Sequence, residues 1–185
     1  MDTDRREFLR KTSLLLLVVN ASGIPVLMSP SQARAEAVPM RVLLASEVAV
    51  LESFAEILLP GAREAGIAHY IDHQLAADSG DCLLMLRYMD WPQPYTEFYK
   101  AGFAGLESAS HAMHGKSFSA LTGEQSIEIV RSMGQQNPAG WTGIPAPLFY
   151  FVMRSDAVDV VYGTEEGFAR LGVPYMAHIM PPSKW

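Results

Sequence analysis

The stretch Ser46-Glu47-Val48-Ala49-Val50-Leu51-Glu52-Ser53-Phe54-Ala55-Glu56-Ile57-Leu58-Leu59-Pro60-Gly61 decides the fold class. Leu51, Phe54, Ala55 and Leu58 recur at spacings of three and four, the period of one helix face. Ser46 is a cap-type residue at the start. Pro60-Gly61 closes the run with a residue that cannot continue a helix and one that turns freely. The same grammar repeats along the chain. Ile67, Tyr70, Ile71 and Leu75 predict a helix from Ile67 to Ala77, followed by a turn at Ser79-Gly80-Asp81. A short helix is expected from Cys82 to Met89, stopped by Trp91-Pro92-Gln93-Pro94. A longer one follows from Tyr95 to Met113, with Phe98, Gly102, Leu106, Ala109 and Met113 on one stripe, ended by Gly115.

Thr122 with Gln125 three residues on is a capping box. It opens a helix that should carry Ile127 and Val130 inward. Gly134 to Pro147 reads as a loop rich in glycine and proline. A last helix spans Pro147 to Val161, with Leu148, Phe151, Val152, Ser155 and Val158 in register. From Tyr162 onward the chain reads as a tail without periodicity. No alternating pattern of strand type persists. These features predict an all-α fold: a compact bundle of about five to six short helices with an irregular, aromatic and proline-rich C-terminal tail.

The first 35 residues are of another kind. Arg5-Arg6 precede Phe8-Leu9, an apolar stretch runs from Leu14 to Met28, and Ala33-Arg34-Ala35 follows. A basic start, an apolar middle and a small-residue site form the layout of an export signal. The arginine pair with Phe8 and Leu9 points to the twin-arginine route, and so to the periplasm. The expected domains are a signal over residues 1–35 and one helical domain over residues 36–185. The apolar stretch is interrupted by Asn20, Ser22, Gly23 and Pro25, whereas a membrane span needs roughly 20 predominantly apolar residues. An uncleaved membrane anchor remains the alternative.

The signal segment holds five of the 14 basic and three of the 20 acidic residues. The remaining 150 residues then carry nine basic and 17 acidic side chains, a formal charge of −8. Such a chain has no electrostatic footprint for nucleic acid or anionic lipid. Cys82 is the only cysteine, so an intrachain disulfide is impossible. Within Cys82-Leu83-Leu84-Met85-Leu86 it reads as a small buried hydrophobe, with a bridge to a partner as the sharper alternative.

Few residues suggest chemistry. His69 and His73 lie four apart on one helix face, a spacing that suits two ligands of one metal. Tyr70 stands where a zinc-protease helix has glutamate, and Asp72 lies off that face. His111 and His114 sit near a helix end, where the dipole favours a positive charge. There is no nucleophile elbow, no Ser-x-x-Lys set, no dinucleotide fingerprint and no Cys-x-x-Cys-His attachment site for haem. The expectation is a chain with no catalytic, cofactor or metal site of its own. The C-terminal region instead combines turn glycines with large rings, a composition suited to interfaces. Trp141, Tyr162, Gly163, Phe168, Gly172, Pro174, Tyr175 and Trp185 are the candidate interface residues.

Three segments together resemble a known family. Ile57-Leu58-Leu59-Pro60-Gly61-Ala62-Arg63-Glu64-Ala65-Gly66-Ile67, continuing through Tyr70-Ile71-Asp72, is similar to the N-terminal signature of the gluconate 2-dehydrogenase subunit 3 family. Gly115-Lys116-Ser117-Phe118 with Leu121-Thr122, and Tyr162-Gly163-Thr164-Glu165-Glu166-Gly167-Phe168-Ala169-Arg170-Leu171-Gly172-Val173-Pro174-Tyr175, follow in the expected order. The resemblance implies a small, non-catalytic subunit of a periplasmic dehydrogenase for sugars or sugar acids. It places FAD and the catalytic base in a large partner of the glucose–methanol–choline oxidoreductase type. A c-type cytochrome, with its haem in a third subunit, or another acceptor would take the electrons. The large partner would cross the twin-arginine translocase bound to this chain, which would act on it like a chaperone. Two other readings stand beside this one: a membrane-anchored helical scaffold, and a stand-alone periplasmic metal-binding protein using His69 and His73.

Overall fold

The computed structural model describes residues 16–19, 25–77 and 82–172. Eight α-helices, one 3₁₀ turn and one two-stranded ribbon make up these residues. The chain is thus mostly helical, as the periodicity predicts. In chain order, β1 (Leu16–Val19) and β2 (Pro25–Met28) pair antiparallel, with Leu16 opposite Met28. Then follow α1 (Pro30–Ala35), α2 (Ala45–Leu58), α3 (Ile67–Ala76) and the single turn α4 (Met85–Tyr88). The long α5 (Tyr95–His114) leads through a 3₁₀ turn (Phe118–Ala120) to α6 (Gly123–Met133). The last two helices are α7 (Ala146–Tyr162) and α8 (Glu165–Arg170).

The core is an aromatic stack where α2, α5 and α7 cross. The Phe149 ring lies parallel to Phe54, with centroids 5.6 Å apart, and Phe98, Phe103 and Trp141 surround it at about 6 Å. Phe118 meets Phe54 edge-on. Offset-stacked and edge-on pairs suit the ring quadrupoles. Gly102 makes the crossing possible, because a Cβ there would lie 2.2 Å from the Phe149 ring. Glycine in mid-helix is intrinsically unfavourable, so its presence marks this close approach.

Local sequence explains most boundaries. The Thr122–Gln125 capping box forms as expected. Gly115 ends α5 at φ +69°, a conformation that favours glycine. At the start of α2 the cap is displaced by two residues. Leu44 is the cap, and the Glu47 carboxylate reaches back to accept its N–H at 2.8 Å. That acid serves the end of the helix better than the Ser46 hydroxyl, because it also meets the positive dipole.

The structure differs from the sequence expectation in four helices and adds three elements within residues 1–35. The helix expected over Cys82–Met89 is one turn, because side chains take the preceding backbone groups: Gln74 accepts the Leu83 N–H and Arg87 donates to the Cys82 carbonyl. Ile127 is exposed, since α6 turns Ser126, Ile129, Val130 and Met133 inward. In α7 the buried face is Phe149, Val152, Met153, Asp156, Ala157, Val160 and Val161. Phe151 and Val158 are instead 38% and 42% exposed. Residues 165–170 form α8, capped by Thr164, where a tail was expected; its Gly167 packs against Val161 and Tyr162. Finally, β1, β2 and α1 occupy part of the expected signal. The turn expected at Ser79-Gly80-Asp81 lies outside the described residues.

Candidate functional site

Several of the buried and half-buried polar side chains do one job: they hold loop backbone. Glu56, near the end of α2, accepts the Gly61 and Arg63 N–H groups and so closes the Pro-Gly turn. Glu107 on α5 accepts from Phe118 N–H and Ser117 Oγ, which fixes the 3₁₀ turn. Asn137 accepts the first N–H of α7. At each of these three places a nearby side chain satisfies backbone donors, as buried backbone requires.

Two aspartates are the strongest cases. Asp72, 3% exposed on α3, accepts three successive N–H groups, from Arg41, Val42 and Leu43, each at 2.8 Å. Asp156 is completely buried on α7. It accepts the Met85 N–H at 2.9 Å and the Tyr99 hydroxyl at 2.5 Å. Burial pushes its pKa up to about 7, with the Tyr99 and Met85 hydrogen bonds acting in the opposite direction. The Tyr99 phenol is held well above its ordinary range, first by burial and then by the Asp156 charge.

One histidine follows the same pattern. His69 is buried, and its Nε2 donates to the Val38 carbonyl at 3.1 Å. Burial lowers its pKa against the pull of that bond. His69 is thus a loop clamp, and among the described residues no group of three or more His, Cys, Asp or Glu is placed to hold a metal ion. His111 lies 3.6 Å from Glu107, and His114 lies 3.6 Å from Glu128. Cys82 is buried, and burial raises its thiol pKa. A groove of about 380 Å³ runs between the start of α2 and α5, over Val50 and Phe103. Both carboxylates on its rim are engaged: Glu47 with Leu44 and Lys100, Glu107 with the 3₁₀ turn.

The candidate interface residues fall in different surroundings. Trp141 is buried within its own chain; its indole N–H donates to the Ile144 carbonyl at 2.6 Å and its ring covers Gly105. Tyr162 is half-buried at the end of α7, and Gly163 caps that helix. Phe168 is half-buried on α8, and Gly172 takes φ +66° just beyond it. Pro174, Tyr175 and Trp185 lie outside the described residues, as do Arg5, Arg6, Phe8 and Leu9 of the export signal. Ala33 is fully buried in α1, and Ala35, at its end, is exposed. The acid clamps went unrecognised in the sequence. Their one signal was an acid in register with apolar residues on the same helix face, as Asp156 is with Val152 and Val160.

These features define a compact helical domain whose buried polar groups organise its own loops. The chain belongs to the gluconate 2-dehydrogenase subunit 3 family, whose family model matches residues 45–178, well over half of its length. That membership implies an accessory role in a dehydrogenase complex, beside a dehydrogenase partner. No curated protein and no solved structure matches the chain. Among the described residues, no helix is long and apolar enough to cross a membrane.

Proposed function

We propose that this chain is the non-catalytic small subunit of a periplasmic, FAD-dependent dehydrogenase for a sugar or sugar acid. The family match over residues 45–178 carries this reading. FAD and the reacting groups belong to a large subunit of the glucose–methanol–choline type, with a c-type cytochrome or another carrier as electron acceptor. The small subunit supports folding of that flavoprotein and takes it through the twin-arginine translocase on the Arg5-Arg6 signal. The use of Asp72, Asp156, Glu56, Glu107 and His69 as loop clamps supports a role based on shape.

Docking on this reading uses the C-terminal part of the chain. Phe151 and Val158 stand exposed on the outer face of α7, with Tyr162 half-buried beyond them. Aromatic and aliphatic groups of this kind serve as anchors when a partner removes them from water. The test is co-expression of both subunits with a tag on the small one. Co-purification of a flavin-coloured large subunit that oxidises sugars with an artificial electron acceptor is the expected outcome. A chain purified from its own host without a large partner would contradict the reading.

A further inference from the structure

The stretch Ala33-Arg34-Ala35 has the composition of a processing site, yet it lies in a helix built into the domain. Ser29 caps α1: its Oγ accepts the Gln32 N–H at 3.2 Å, and Gln32 Oε1 accepts the Ser29 N–H at 2.9 Å. Pro30 occupies the first turn, where its fixed φ suits a helix start. Ala33 has 0% exposure. The helix rests on the start of α3 so closely that a Cβ on Gly66 would lie 2.1 Å from the Pro30 carbonyl oxygen. Gly66 also holds φ +83°, which a side chain would strain.

Downstream of α1, the chain is clamped to α3 by two buried side chains one turn apart. The Val38 N–H donates to the Ala33 carbonyl, and the Val38 carbonyl accepts from His69. Asp72 then takes the N–H groups of Arg41, Val42 and Leu43. Arg34 itself approaches Glu52 at 3.4 Å. Residues 29–43 are therefore a strap, with a cap at one end, a carboxylate clamp at the other and a glycine seat between them. The strap itself lies upstream of residue 45, where the family match begins, while Gly66 and Asp72, which hold it, lie within the match.

A protease cuts backbone that it can draw out in extended form, so a buried helical bond must first open. Opening α1 exposes Ala33, breaks the cap and loosens the clamp. The twin-arginine route, on which this inference rests through the function proposed above, delivers a chain already folded. We propose that Ala33-Arg34-Ala35 is closed to processing in the folded chain, and that the exported subunit retains the strap from Ser29 onward as part of its working domain.

Two measurements on the purified complex test this. The first is the N-terminal sequence and intact mass of the small subunit taken from the exported fraction. A terminus at or upstream of Ser29 is expected, and any terminus downstream of it, Glu36 included, overturns the proposal. The second is limited trypsin digestion of the complex, because the Arg34–Ala35 bond lies inside the candidate site. Cutting at that bond should be at least about tenfold slower than in the Gly66→Ala complex, since the rate follows the open population. Should Gly66→Ala fail to fold, the double variant Ser29→Ala with Gln32→Ala, which only removes the cap, is the comparison. Equal cutting in the parent and the opened variant overturns the proposal. The trypsin result does not depend on export, so a failed export reading and a failed strap are separate outcomes.

Discussion

At the scale of one residue, Asp156 gives the domain a pH dependence of its own. Its pKa rises from 3.8 to about 7 on burial. The folded state therefore holds this proton more tightly than the unfolded chain does. Its contribution is fully present below the unfolded value, falls as pH rises, and is lost once pH passes about 7. In Asp156→Asn the amide still accepts from Met85 and can donate to the Tyr99 oxygen. The variant should gain stability over the parent as pH is raised from 5 to 8, by a few kcal/mol at most. Urea midpoints across that range check this; the comparison at each pH removes the opposite trend from His69, whose lowered pKa favours folding at higher pH. Asp72 behaves differently, because its loss leaves three N–H donors without their acceptor. Asp72→Ala should cost about 3 kcal/mol, read from the same midpoints. Neither acid announces its role in the sequence. A carboxylate that accepts backbone N–H groups looks the same, residue by residue, as one facing water.

At the scale of the element, the α5–α7 crossing depends on a missing methyl group. Gly102→Ala would press a Cβ into the Phe149 ring, and overpacking of this sort costs about 1–3 kcal/mol. A lowered denaturation midpoint with the helical circular dichroism retained is the expected result. The outer face of α7 is the contrasting case. Phe151→Asp and Val158→Asp should leave the midpoint within about 0.5 kcal/mol while weakening co-purification of the large subunit. Pull-down yield beside the melting curve separates the two effects. Legibility varied among the elements for physical reasons. α2, α3 and α5, and the extent of α6, were readable because apolar periodicity ran between clear stop and start signals such as Pro60-Gly61, Gly115 and Thr122; the inward face of α6 was not, since Ile127 is exposed. α7 is apolar nearly all round, so its periodicity allowed two faces, and Asp156 made the buried one look polar. α8 is too short to show a period, and α1 was hidden because small residues that suit a processing site also suit a buried helix. Trp141 read as an interface anchor, but the Ile144 carbonyl that satisfies its indole lies on a loop whose path no pattern fixes.

At the scale of the whole molecule, the proposed function requires a folded helical body carried by a leader bearing Arg5 and Arg6. Replacing both arginines by lysine should leave both subunits in the cytoplasm, as followed by fractionation and immunoblotting. Export of the large subunit by that double variant would contradict the shared signal. The all-α class and the family were legible in the sequence, through helix punctuation and three ordered segments. The packing of the strap was not, since it depends on Gly66 and Asp72, which lie 29 to 36 residues downstream of the backbone they meet. The most direct test of the central claim is affinity purification of the tagged chain from the exported fraction of its own host, with mass spectrometry and a visible spectrum. The account predicts a large co-purifying flavoprotein with dehydrogenase activity toward a sugar or sugar acid. A colourless chain recovered alone would contradict it.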